Sequence, residues 1–104
     1  MEVNFKSLYD LEHGHIIFPS ELIANAKLPN YEYVKFNTGP DGLIVECACF
    51  IGEDNAKAYF NYYFDKDDKL LKLIAFEDNE VTVLFDRAQE ISKFRNKLLG
   101  KALV

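Results

Sequence analysis

Two pairs of side chains in this 104-residue chain have the chemistry of metal ligands: His13 with His15, and Cys47 with Cys49. Imidazole and thiolate both bind zinc tetrahedrally. Alternate residues of a strand point the same way, so each pair could deliver both of its ligands to one side. The spacing argues against it. Structural zinc sites leave about two to four residues between paired cysteines, whereas here Ala48 alone separates them. Cys47 and Cys49 read better as small apolar residues of a buried strand, and the two histidines as flanks of a bend at Gly14. No metal is expected. A Cys47–Cys49 disulfide would strain an extended strand, so both thiols are expected to be free.

Other chemistry finds no residues to carry it. Asp65-Lys66-Asp67-Asp68-Lys69-Leu70 has the acids of a calcium loop but Leu70 where the loop needs glycine and Phe76 where it needs glutamate. No phosphate-cradling glycine loop, nucleophile elbow or dinucleotide fingerprint occurs. Nothing places a base, a nucleophile and an oxyanion donor together. The expectation is therefore not an enzyme: no catalytic residues and no cofactors.

The compositional oddity is aromatic. Six tyrosines and nine phenylalanines make 14% of the chain, with no tryptophan. Tyr59, Phe60, Tyr62, Tyr63 and Phe64 are crowded into one segment. Lys57 to Phe64 alternates, which puts Ala58, Phe60, Tyr62 and Phe64 on a buried side and Lys57, Tyr59, Asn61 and Tyr63 on the other. Tyrosine offers a large rigid surface plus a hydroxyl and is enriched in interfaces. Tyr59, Asn61 and Tyr63 are thus candidate partner-binding residues. A second copy or a second layer could cover them, and so could a different protein. Base stacking is the remaining use, but it normally comes with cationic neighbours, and here Lys57 stands near Asp65 and Asp67.

Positioning these residues requires a scaffold, and punctuation outlines it. Val3 to Tyr9 reads as a strand and His15 to Phe18 as a short second one. Pro19 and Ser20 open a helix over 20–27, with Ser20 as cap and Leu22, Ile23 and Ala26 as its apolar face. Tyr31 to Asn37 is a strand with Tyr31, Tyr33 and Lys35 on one side. Gly39-Pro40-Asp41-Gly42 is a turn. Leu43 to Ile51 reads as a central strand covered on both faces. Strands follow over 69–76 and 81–85. Asp86 caps a terminal helix over 86–100, whose stripe is Ala88, Ile91, Phe94, Leu98 and Ala102, with Gly100 as its breaker. The fold class is α+β: an antiparallel meander sheet of four to six strands, with a short N-terminal helix and a C-terminal helix packed on one face. Residues 1–104 form a single domain.

Charge narrows the partners. Twelve cations face seventeen acids, for a net charge of −5. Nucleic-acid binding would need a local basic patch. The one cluster is Arg87, Lys93, Arg95, Lys97 and Lys101 on the terminal helix. It suits a solvated face near the negative end of the helix dipole, or a phosphate- or acid-binding patch. No apolar run spans a bilayer and the start has no signal-peptide layout, so a cytoplasmic location without membrane contact is expected.

Residues Asp10 to Leu22, Asp-Leu-Glu-His-Gly-His-Ile-Ile-Phe-Pro-Ser-Glu-Leu, resemble the AbrB/SpoVT swapped-hairpin domain. Gly14, Ile16, Ile17, Phe18, Pro19, Glu21 and Leu22 match in order. Tyr33 to Phe36, the turn at Gly39–Gly42 and Leu43 to Glu46 fit the strands that follow. The resemblance ends near residue 46. It has His15 where the family carries arginine, and an additional residue between Asp10 and Gly14. It implies an intertwined homodimer and an AbrB-like DNA-binding transcriptional regulator or antitoxin. The residues themselves favour a small acidic regulatory domain that binds another protein, with a basic partner suited to its charge, and that forms a homodimer.

Overall fold

The aromatic segment is a strand, and its alternation sets the layers. In the computed structural model, which describes residues 8–102, the chain runs α1 (Leu8–His13), α2 (Pro19–Asn25), β1 (Tyr31–Thr38), β2 (Leu43–Ile51), β3 (Ala56–Phe64), β4 (Leu70–Glu77), β5 (Glu80–Asp86) and α3 (Arg87–Ala102). Each strand pairs antiparallel with its sequence neighbour, in the order β1-β2-β3-β4-β5. The turns explain why. Gly39 N–H bonds the Gly42 carbonyl at 2.7 Å, and a Cβ on Gly42 would sit 2.6 Å from the Asp65 backbone. Asp78 and Asn79 both take positive φ, 48° and 66°, between paired Glu77 and Glu80. Two such residues make the hairpin turn whose twist suits flanking strands.

One side of the sheet carries Val45, Cys47, Tyr62, Phe64, Leu73 and Phe85, all buried. Leu11 of α1 and Leu22 of α2 close over them, each fully buried. Ile91 and Phe94 of α3 pack at the same cluster. Burial pushes the Cys47 thiol up to about 11, helped by neighbouring Cys49, and raises the Tyr62 phenol.

Arg87 joins these layers. It is 7% exposed, and its guanidinium donates to three backbone carbonyls: Leu70 at 2.7 Å, Gly14 at 2.8 Å, and Leu11. Burial lowers its pKa, and the charge of Asp65 opposes that. Five fixed N–H donors let one arginine satisfy carbonyls from α1, the following bend and β4 together.

The N-terminal segment departs from expectation. Of the strand expected over Val3–Tyr9, residues 3–7 lie outside the described residues, and Leu8 and Tyr9 are helical. His15–Phe18 is a bend and not a second strand: Ile16 has φ 73°, and the Gly14 and His15 carbonyls are taken by Arg87 and by Leu70 N–H. A β-branched residue there costs about 1–2 kcal/mol, which the arginine contacts offset. The early helix spans Pro19–Asn25, and Ser20 is not its cap. The Glu21 carboxylate accepts the Phe18 N–H at 2.6 Å instead.

Three smaller corrections follow. A bulge between Tyr31 and Tyr33 turns Tyr31 to the core side, opposite Cys49, so it does not share a face with Tyr33. Gly100 does not break α3, which continues to Ala102. β2 has helices over one face only, although Ala48 on the other is fully buried. The Asp86 cap holds, accepting Gln89 N–H at 3.2 Å.

Arg87→Ala leaves three carbonyls without their donor and should cost about 3–5 kcal/mol in urea denaturation. Arg87→Lys, which cannot fork, should recover less than half of that. Alkaline stability gives a second check. The unfolded chain releases the Cys47 proton near 9.0, while the folded chain holds it to about 11. Stability present below pH 9 should therefore decline between pH 9 and 11, and Cys47→Ala should flatten that decline.

Candidate functional site

The sheet face turned away from the helices carries the tyrosines. Strand register arranges it in three rows. Tyr33, Ala48, Tyr59, Phe76 and Val81 lie side by side across β1 to β5. Lys35, Glu46, Asn61, Ile74 and Val83 form the second row. Asn37, Ile44, Tyr63, Lys72 and Asp86 form the third. Tyr59, Asn61 and Tyr63 therefore share one face. Tyr59 is 39% exposed, Val81 62% and Val83 50%, whereas Asn61 and Tyr63 are half-buried. Asn61 Nδ2 donates to Tyr63 Oη at 3.5 Å, a long contact. Tyr33 and Tyr59 flank Ala48, which accounts for its burial without a helix above it.

The lysines of this face are engaged within it. Lys57 Nζ lies 2.7 Å from a Glu32 carboxylate oxygen, which raises the lysine pKa, and 5.4 Å from the Tyr59 ring centre. The β1 bulge brings Glu32 there. Lys35 sits 4.4 Å over the Tyr33 ring, and Lys72 is 3.7 Å from Asp86. Glu46 accepts Asn37 Nδ2 at 2.7 Å. Charges held this way keep flat aromatic surface exposed between fixed dipoles.

At one end, the first turns of α3 rise beside the sheet. A groove of about 650 Å³ opens there, floored by Tyr63, Leu71, Ile74, Ala88 and Ile91, with Lys72 and Asp86 at its rim. Its lining holds no histidine, serine or cysteine. Tyr63 links the groove to the aromatic face.

The metal-capable residues lie elsewhere. Cys47 and Cys49 are free and buried. His15 Nε2 is 3.0 Å from the Asp67 carbonyl, with its ring stacked on Phe18 at 4.4 Å, and His13 is exposed beside Glu12. Among the described residues no group of three or more histidine, cysteine, aspartate or glutamate side chains gathers as a metal site would need. Asp65 serves its own loop, its Oδ1 accepting the N–H groups of Asp67 and Lys69, both at 2.9 Å. No described helix is long and apolar enough to cross a membrane.

The sequence pattern placed Tyr59, Asn61 and Tyr63 on one face, as the strand register does. It missed Tyr33, Phe76, Val81 and Val83, which join them only through strand register, and it missed the groove. Compared with protein-family models, with curated proteins and with solved structures, the chain has no match in any of the three.

The two sides of β3 should respond differently to truncation. Tyr59→Ala should change unfolding free energy by less than about 1 kcal/mol, as exposed positions do. Tyr62→Ala should cost about 3–5 kcal/mol, because its ring fills the core. Chemical denaturation of both variants checks the face assignment.

Proposed function

We propose that this domain is a non-enzymatic regulatory module that acts by binding another protein through the sheet face of Tyr59, Asn61 and Tyr63. The observation that carries this reading is the row of exposed and half-exposed apolar side chains, Tyr33, Tyr59, Phe76 and Val81, over which no described helix lies. Contiguous exposed apolar surface marks sites of association. Rigid aromatic anchors give most of the binding energy in such sites.

The partner is a basic protein. The chain carries −5, and Lys35, Lys57 and Lys72 are each occupied by a neighbour on the face itself. That arrangement supplies little free positive potential for a nucleic-acid backbone, which needs cations that release counterions. It leaves aromatic surface within a negative field, which steers a cationic protein inward.

A photo-crosslinking residue at position 59, introduced in the cells that make the protein, should yield one discrete adduct with a basic protein. The purified pair should bind with salt-sensitive affinity, and Tyr59→Ala with Tyr63→Ala should weaken it at least tenfold. An adduct made only with this same chain, or an unchanged affinity in the double variant, would overturn the proposal. Salt-dependent binding of mixed-sequence duplex DNA, abolished by the same two substitutions, would favour the AbrB-like alternative.

A further inference from the structure

Among the described residues, the contacts that hold the terminal helix to its own domain fall in its first nine positions. Sixteen residues make α3, about 24 Å of helix. Arg87, Ile91 and Phe94 are fastened to the core, and Arg95 pairs with Glu12 of α1. Every residue from Arg95 to Gly100 is nevertheless exposed, with Leu98 at 45% and Leu99 at 60%. Leu98 lies seven positions after Ile91 and continues the stripe that Ile91 buries. Arg95 and Lys97, both exposed, flank the leucines. The arm is therefore apolar along one side and cationic beside it.

A surface of the opposite character lies at the far end of the same sheet. The helices leave one margin of the core face uncovered, and a groove of about 480 Å³ opens there. Ala58, Phe60, Ala75 and Leu84 form its apolar floor. Glu77, Asp78 and Glu80 crowd its rim, all exposed at the β4–β5 turn. The arm and the groove are both incomplete and are matched in charge and polarity. In its own domain the arm does not occupy that groove, since no residue of α3 lines it and Leu98 and Leu99 stay exposed. It leaves from the Asp86 end of β5, about 20 Å from the Glu80 end, and the bonds of Arg87 fix that departure.

We infer that a second copy of this chain completes both surfaces. The arm of each copy lies in the acidic groove of the other, Leu98 and Leu99 on the floor and Lys97 against the Glu77–Glu80 rim. A twofold axis makes the exchange reciprocal, so the assembly closes at two chains. This surface is on the sheet face opposite Tyr59 and Tyr63, so the inference stands independently of the partner proposed above.

Sedimentation equilibrium of the full chain, from low micromolar to hundreds of micromolar, tests it. The mass should approach twice the 12.0 kDa of one chain and go no further. Leu98→Asp, at a position too exposed to disturb folding, should raise the dissociation constant at least tenfold with circular dichroism unchanged. Lys97→Glu and Glu80→Lys should each weaken association, and the two together should restore part of it. Tyr59→Ala should leave the mass unaltered. A monomer at every concentration would overturn the inference, and so would mass climbing past two chains. Loss of the dimer in Leu98→Asp but not in a Glu77→Lys, Glu80→Lys double variant would assign the arm another seat and overturn it equally.

Discussion

A buried guanidinium bonded to three backbone carbonyls holds this fold together. Arg87 directs its donors at carbonyls of Leu11, Gly14 and Leu70, which come from a helix, a bend and a strand. A meander sheet can form from neighbouring pairings alone, but its apolar side must still be roofed. Arg87 fixes the roof, because one side chain sets where α1 ends, where the chain bends and where α3 begins. The cost of desolvating the charge is met by a hydrogen bond from each of its three nitrogens, since a buried ion without partners is far more destabilising than one with them. Glycine at position 14 belongs to the same arrangement. A Cβ there would come within 2.5 Å of the Asp10 oxygen, and the carbonyl of Gly14 is one of the acceptors.

The two sides of the sheet have correspondingly different chemistry. The roofed side is apolar and seals two thiols and a phenol away from water, which raises the proton affinities of Cys47 and Tyr62. The open side pairs each lysine with an acid or a ring and separates them with aromatic surface. One strand, β3, supplies both through simple alternation. Its inward residues are two phenylalanines, a tyrosine and an alanine. Its outward residues are Lys57, Tyr59, Asn61 and Tyr63.

Much of this was legible in the amino-acid order. Five strands and two of the helices lie within a residue or two of their expected limits, because alternation, turn residues and a helical stripe are local signals. The face of Tyr59, Asn61 and Tyr63 followed from the same alternation. What escaped was set by distant contacts. The bend at His15–Phe18 has the β-branched, apolar composition of a strand, yet its backbone is claimed by Arg87, 73 residues from Gly14. Tyr31 changes sides because of a bulge that no pattern announces. The stripe of α3 revealed which side of the helix is apolar but not that Leu98 and Leu99 would stay exposed.

Strand pairing strictly between sequence neighbours also bears on how the molecule comes apart. Every ladder of this sheet closes a short loop, which speeds assembly because little chain entropy must be surrendered before contacts form. The docking of α1 spans 76 residues to Arg87 and, with the contact of the following bend to Asp67, is a long closure in the described fold. Long closures of this kind surrender more chain entropy than the hairpins of the sheet, so release of α1 is an opening distinct from loss of the ladder. Amide protons of α1 would exchange with solvent through an opening that leaves the β-ladder intact, a separate cooperative unit within a chain of barely a hundred residues.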